Sequence, residues 1–338
     1  MTTLNARLCT DPSAWDAVVN AQSGHPMQLW GWGESKAQHG WAAERYLVSA
    51  EDSDAGVVGS GQVLYRRLPF PFRSLAYIPR GSQALPGTST AEVLSAIERE
   101  VRKRKPVVLT IEPDWDETDP RTAELVGSGW RPAATQILIP RTLILDLSRS
   151  EDELLAAMTK KTRQYIRKSA REDLTFRQLV AAEIPQALAV YRLTAERARF
   201  GIHSDTYYQD IFTNLGEGSP VFGAFQGEEL VAFLWLAVSE ATAFELYGGM
   251  NDAGSALRAN YALKWTAITA MKERGVARYD FNGLLNDGVS QFKFGFASHE
   301  DLLAGSWDKP LSLLYPVFAQ ALPTARKVLR KVKAALKG

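Results

Sequence analysis

Strand-forming and helix-forming stretches alternate along this chain, and the alternation starts afresh near its midpoint. Short apolar runs bounded by Gly or Pro read as strands, whereas apolar residues recurring every three to four positions read as helices. By this test "ERYLVSA", "GVVGSGQVLYRRL" and "SLAYIPRG" are strands, and "TSTAEVLSAIEREVRKRK" is a helix with Ser89 or Thr90 at its N-cap. "PVVLTIEP", an apolar run between prolines, suits a buried strand; "DPRTAELVGSGW" reads as a short helix and "RTLILDLS" as a strand. This order calls for an α/β architecture with mixed sheets.

The second round opens at "SEDELLAAMTKKTRQYIRKSARED". Ser150 followed three residues later by Glu153 is a capping-box signature, and it predicts one long basic helix. Strand "LTFRQLV", helix "IPQALAVYRLTAERAR", the Tyr-rich "SDTYYQDIFTNL" and a hairpin around "FQGEEL" follow. Strand "ATAFELYGGM", loop "NDAGSALRAN", helix "YALKWTAITAMKERG" and strand "ARYDFNG" complete it. Two units of similar size and element order suggest a duplicated domain. With 338 residues, 46% of them apolar, the chain is long enough for two cores. The expected division is residues 1–147, residues 148–310 and a basic helical segment, 311–338.

Several chemistries are disfavoured. One cysteine, Cys9, allows no internal disulfide. The four histidines, His25, His39, His203 and His299, lack metal-ligand spacing, so neither a metal nor a cofactor is expected. There is no G-x-S-x-G elbow and no Walker loop, and the G-x-G of "GSGQVL" lies in a hairpin instead of between a strand and a helix. No apolar run approaches the roughly 20 residues of a membrane span, and "MTTLNARLCTDPSAW" lacks a signal-peptide pattern, so the expected location is cytoplasmic. The net charge of +1 points to no partner. Local clusters do: Lys160, Lys161, Arg163, Arg167, Lys168 and Arg171 crowd one helix, and the last fifteen residues hold six bases and no acid. Such clusters are either solvated helix faces or contacts with tRNA phosphates or an anionic membrane surface.

The second half resembles the acyltransferase fold that takes acetyl-CoA, in which a Q/R-x-x-G-x-G/A loop presents backbone amides to a pyrophosphate. Here the loop reads "SALRANYAL" and both glycines are missing. Taken together, "HPMQLWGWGESK", "YIPRG", "IEPDW", "RTLILDLSRSEDELLAAMTKKTRQYIRKS", "YGGM", "RYDFNG" and "QFKFGFA" resemble the FemABX family, the transferases that build peptidoglycan interpeptide bridges from aminoacyl-tRNA. The resemblance runs from about Gln28 to Trp307. It implies two tandem acetyltransferase-like (GNAT-like) domains, in the compact form without a coiled-coil arm, with the C-terminal helix packed back on the first domain. It also implies an enzyme that transfers an amino acid from aminoacyl-tRNA to the stem-peptide side-chain amine of a nucleotide-linked or lipid-linked precursor, in the cytoplasm or at the inner membrane face. The alternatives are an acyl-CoA-dependent N-acyltransferase and a non-catalytic tRNA- or membrane-binding module.

Carried over residue by residue, the resemblance gives Lys36 and Arg197 to the precursor's diphosphate, with Arg199 close enough to leave the register open. Tyr207, Tyr208 and Tyr247 are either groove-lining or core rings. Lys293 matches the lysine of "FK-x-GF", where an ammonium would stabilise the tetrahedral oxyanion while Phe292, Phe294 and Phe296 exclude water. For a general base there are Glu112 and Asp114 of "IEPDW", of which Asp114 is the candidate.

Overall fold

The computed structural model describes residues 3–50, 56–285 and 288–320. The basic run in the last fifteen residues lies outside the described residues. The chain forms two compact units, one of Met1–Gln22, Lys36–Pro140 and Leu302–Gly338, the other of Ser23–Ser35 and Arg141–Asp301. Among the described residues, no helix is long and apolar enough to cross a membrane.

In the first unit the main sheet runs, in spatial order, Asn5–Leu8, Trp41–Ser49, Val57–Arg67, Ser74–Pro79, Val108–Glu112, Trp307–Pro310 and Arg131–Pro132. Ser74–Pro79 and Val108–Glu112 are parallel, so a crossover must join them, and helix Thr90–Lys103 supplies it. Val93, Leu94, Ile97 and Val101 form its buried stripe and meet Val63, Ile78 and Ile111 from the sheet. Ser89 stands at the N-cap, but its hydroxyl donates to Glu124 instead of accepting from the first turn.

In the second unit the sheet order is Thr175–Gln178, Val221–Gln226, Glu229–Val238, Thr242–Met250, Arg278–Asp280 and Ile144–Asp146. Helix Ala259–Glu273 crosses between the parallel strands Thr242–Met250 and Arg278–Asp280. Both faces are covered. Leu234 and Leu236 point into a core shared with Leu263, Ala267 and Phe296, while Phe233 and Trp235 point into one shared with Leu188, Tyr208 and Ile211.

The capping box forms as read: Ser150 Oγ accepts from Glu153 N, and Glu153 Oε2 accepts from Ser150 N at 2.8 Å. The helix it opens is short, however. Glu151–Ala157 ends at Met158, and a second helix, Lys160–Ser169, begins with Thr159 as its N-cap. Two contacts fix the break: Thr159 N donates to Gly295 O at 3.0 Å, and Arg163 Nη1 donates to the carbonyls of Leu155, Ala156 and Met158.

The division of the chain differs from a cut after residue 147 at three places, each for a packing reason. Residues 23–35 belong to the second unit because Gly31 lies flush on its backbone; a Cβ there would come within 2.0 Å of Asn214 O. Ile144–Asp146 pairs with Arg278–Asp280 and so starts the second unit before residue 147. Trp307–Pro310 pairs with Val108–Glu112, and Asp308 accepts from Thr110 Oγ1 at 2.6 Å, which returns the chain to the first sheet. Beyond it Tyr315 and Phe318 pack on Val107, Val108 and Phe72, so the start of the C-terminal segment lies on the first unit.

Candidate active site

Strand Thr242–Met250 organises the chemistry of the second unit. A β-bulge opposite Trp235 and Leu236 pairs Tyr247 with Trp235 but Glu245 with Leu236, leaving Leu246 as the extra residue. Without the bulge, residues 245 and 247 would share a face. With it, Tyr247 joins the core of Trp235 and Phe233, and Glu245 turns to the opposite face, against helix Ala259–Glu273.

On the first of these faces the expected tyrosines meet. Tyr208 and Tyr247 stand edge to face at 4.9 Å, Tyr207 and Tyr208 at 5.4 Å, and Tyr191 touches both Tyr208 and Tyr247. His203 stacks on Tyr207 at 4.0 Å, and its backbone N donates to Tyr208 Oη. Burial raises the hydroxyls of Tyr207, Tyr208 and Tyr247 above the ordinary tyrosine value, so all three stay neutral donors. Tyr207 and Tyr208 are buried, whereas Tyr247 keeps part of its surface accessible. Arg197, near the end of helix Ile184–Ala198, reaches the last residue of the same strand: it donates to Met250 O at 3.0 Å and pairs with Asp252 at 3.3 Å. Arg199 caps that helix in the left-handed region.

On the other face two lysines sit side by side. Lys293 Nζ donates to three successive carbonyls, Phe281 O at 2.6 Å, Asn282 O at 2.8 Å and Gly283 O at 3.3 Å. It thereby clamps the segment that leaves strand Arg278–Asp280. Asn282 fastens the same segment, its side chain donating to Glu245 O at 3.0 Å beyond the last ladder pair, Phe244 with Asp280. The ammonium thus brings a positive charge with its donors already in use, and the 3.3 Å contact is the weakest of the three.

Lys264, which sequence reasoning missed, lies beneath. It is 4% exposed and ion-paired with Glu245, whose Oε1 also accepts from Tyr279 Oη at 2.9 Å. Phe281, Phe292 and Phe296 surround its ammonium at 4.5, 5.4 and 5.8 Å. Two of the phenylalanines expected around Lys293 therefore enclose its neighbour. Burial pushes the Lys264 ammonium down to about 8, the charge of Lys293 pushes the same way, and Glu245 opposes both. Its signal was present in the sequence: a lysine among Leu263, Ala267 and Ile268, on the apolar stripe of its helix.

Lys36 and Asp114 belong to the first unit. Lys36 lies in the last turn of helix Trp30–Ala37, and burial lowers its ammonium to about 8. Asp114 stands two residues beyond strand Val108–Glu112, partly buried. Glu112 is anchored: its Oε1 accepts from Ser306 and the backbone N–H groups of Ile137 and Leu138, and its Oε2 accepts from Tyr77. It is 1% exposed and held in the fold by these four donors.

The loop "SALRANYAL", where a pyrophosphate cradle would lie, is built differently. Residues Asp252–Ala256 form a helical turn capped by Asn251, and Arg258 opens helix Ala259–Glu273 in the left-handed region with its guanidinium 4.4 Å over the Tyr165 ring. Tyr165 belongs to helix Lys160–Ser169, whose cations Lys160, Lys161, Arg167 and Lys168, with Arg171 just beyond its end, are exposed and, among the described residues, join no ion pair.

Comparison with known proteins adds the following. The family model for the acetyltransferase (GNAT) domain matches residues 156–293. Lipid II:glycine glycyltransferase of Staphylococcus aureus is 28% identical over 217 residues, which are 60% of this chain and 50% of that protein. The chain spans about half the length of the curated relatives it matches. A crystal structure of FemX superposes with a TM-score of 0.82, covering 94% of this chain and 99% of the other at 18% identity. A tandem GNAT protein from the clavulanic acid biosynthesis pathway superposes at 0.51, covering 91% and 99% at 14% identity. The fold is thus a tandem pair of GNAT-like domains with mixed sheets.

Proposed function

We propose, on its similarity to lipid II:glycine glycyltransferase and the fold it shares with FemX, that this chain is a member of the FemABX family and moves an aminoacyl group from aminoacyl-tRNA to the stem-peptide side-chain amine of a peptidoglycan precursor, nucleotide-linked or lipid-linked. The amine nitrogen attacks the ester carbonyl, the new C–N bond forms, and the ribose oxygen leaves with the proton that the amine gives up. The observation that carries the donor assignment is the exposed, unpaired basic face beside helix Lys160–Ser169, which suits a phosphate backbone. Residues 255–260, which hold no glycines where a CoA pyrophosphate would need them, support the same choice. Both substrates place the reaction in the cytoplasm or at the inner face of the membrane.

Lys36 and Arg197 are assigned to the precursor's diphosphate, and Tyr207, Tyr208 and Tyr247 to its sugar or peptide. Lys293 supplies positive charge to the oxyanion, and Asp114 is the candidate base. Incubation with charged tRNA and UDP-MurNAc-pentapeptide, read by mass spectrometry, should show a gain of one amino-acid residue on the peptide. A gain only with acetyl-CoA would reassign the donor, and no gain with either would leave a binding module. Within the first outcome, Lys293→Met should lower kcat by about a hundredfold. A kcat within about threefold of the parent would reduce Lys293 to a clamp for residues 281–283.

A further inference from the structure

Arg80 of the first unit is 1% exposed, and its Nε and Nη2 have no hydrogen-bond partner among the described residues. It joins no ion pair there either. A guanidinium cannot shed its proton to escape burial, so an enclosed arginine without a counter-charge is among the costliest arrangements in a folded chain. Its nearest sequence neighbours repeat the pattern: the buried Ser82 Oγ and Gln83 Oε1 are also without partners. Glu112 does not close the fork: its hydrogen bonds go to Tyr77, Ser306, Ile137 and Leu138, and Tyr77 is close enough to feel the charge of both Glu112 and Arg80.

The identity of the two orphaned nitrogens is informative. Nε and Nη2 form one edge of the guanidinium, the edge that grips two oxygens of a single anion. This protein uses that edge elsewhere: Arg121 donates from Nε and Nη2 to the two oxygens of Asp119 at 2.8 and 2.6 Å. At Arg80 the same fork stands open. Its backbone is held in the left-handed region, φ 46, an uncommon conformation for a residue with a side chain.

We propose that Arg80 is the centre of an oxyanion-binding site on the first unit, taking a carboxylate or phosphate group side-on. Ser82 Oγ, buried two residues along and also without a partner, could add a further donor to that site. Gln83 Oε1, an acceptor, suits a ligand that carries an N–H next to the anion, as the carboxylate end of a peptide does. The inference is independent of the transferase reading, since it needs neither tRNA nor turnover.

The test uses the full chain and three probes: inorganic pyrophosphate, N-acetyl-alanyl-alanine, and the same dipeptide with its carboxylate amidated. Calorimetric titration and thermal melts are compared for the parent, Arg80→Gln and Arg80→Lys. The expected result is that pyrophosphate or the free-acid dipeptide binds and raises the melting temperature, while the amide does neither. Whichever of the two binds identifies the source of the oxyanion. Arg80→Gln should weaken that binding at least tenfold and, without ligand, melt no lower than the parent, because it removes an unpaired charge. Arg80→Lys keeps the charge but loses the fork, so it should bind at least threefold more weakly with an unaltered melt; it decides the matter if the glutamine variant misfolds. Binding unchanged in both variants, no response of the parent to either anion, or a large drop in both unliganded melts would overturn the proposal.

Discussion

Lys264 occupies a helix position that patterning alone would give to leucine, and its ammonium is tolerable there only because Glu245 faces it. Removing one member of a buried pair leaves the other uncompensated, so Lys264→Met should cost about 3 kcal/mol or more in urea denaturation. Lys264→Met combined with Glu245→Gln should regain over half of that, since glutamine still accepts from Tyr279; a single variant within about 1 kcal/mol of the parent would contradict the pairing. The sign of the pH effect follows from the lowered folded value. Between about 8 and 10.5 the unfolded lysine holds a proton that the folded one has released, so stability rises with pH in that window. Lys36 has the same direction of shift, from burial alone. If its charged form grips a diphosphate, calorimetric affinity for UDP-MurNAc-pentapeptide should fall as pH rises past about 8. Lys36→Arg, charged throughout, should flatten the profile, and a flat parental profile would remove Lys36 from the site. Sequence reasoning could nominate Lys36, Arg197 and the tyrosines because a resemblance carried them. The partners of Lys293 were not legible, since three carbonyls in a row at residues 281–283 leave no trace in side-chain chemistry.

At the level of elements, helix Thr90–Lys103, the hairpin at Gly227 and the capping box at Ser150 were legible because their signals are local. The break between Glu151–Ala157 and Lys160–Ser169 was not. It depends on Gly295, more than a hundred residues away, and on Arg163 turning back to the carbonyls before it. One consequence is that Arg163 is a structural member of the basic cluster and its neighbours are the ones available to a ligand. In tRNA binding measured against salt, replacing Arg167 and Lys168 by glutamine should lower the slope of log K on log salt by roughly 1 to 2. The equivalent change at Arg163 should instead lower stability by about 1 kcal/mol with little change of slope. Equal slopes for the parent and the Arg167/Lys168 variant would move the nucleic acid to another surface.

Across the whole molecule, two units were legible from the restarted alternation, but their membership was not, because strand pairing is blind to order along the chain. Trp307–Pro310 reads as the close of the second unit and pairs in the first. A protein ending at residue 301 should therefore retain a protected second sheet in hydrogen exchange while the amides of Val108–Glu112 lose protection. Unchanged protection there would show that the returning strand is dispensable. The same returning strand sets an order of events during synthesis. Val108–Glu112 leaves the ribosome about 200 residues before its partner does, and at ~5–20 residues per second that is a wait of roughly 10–40 s. The half of the chain made first is thus completed last, and until then one flank of strand Val108–Glu112 is open to any other extended segment in the cell.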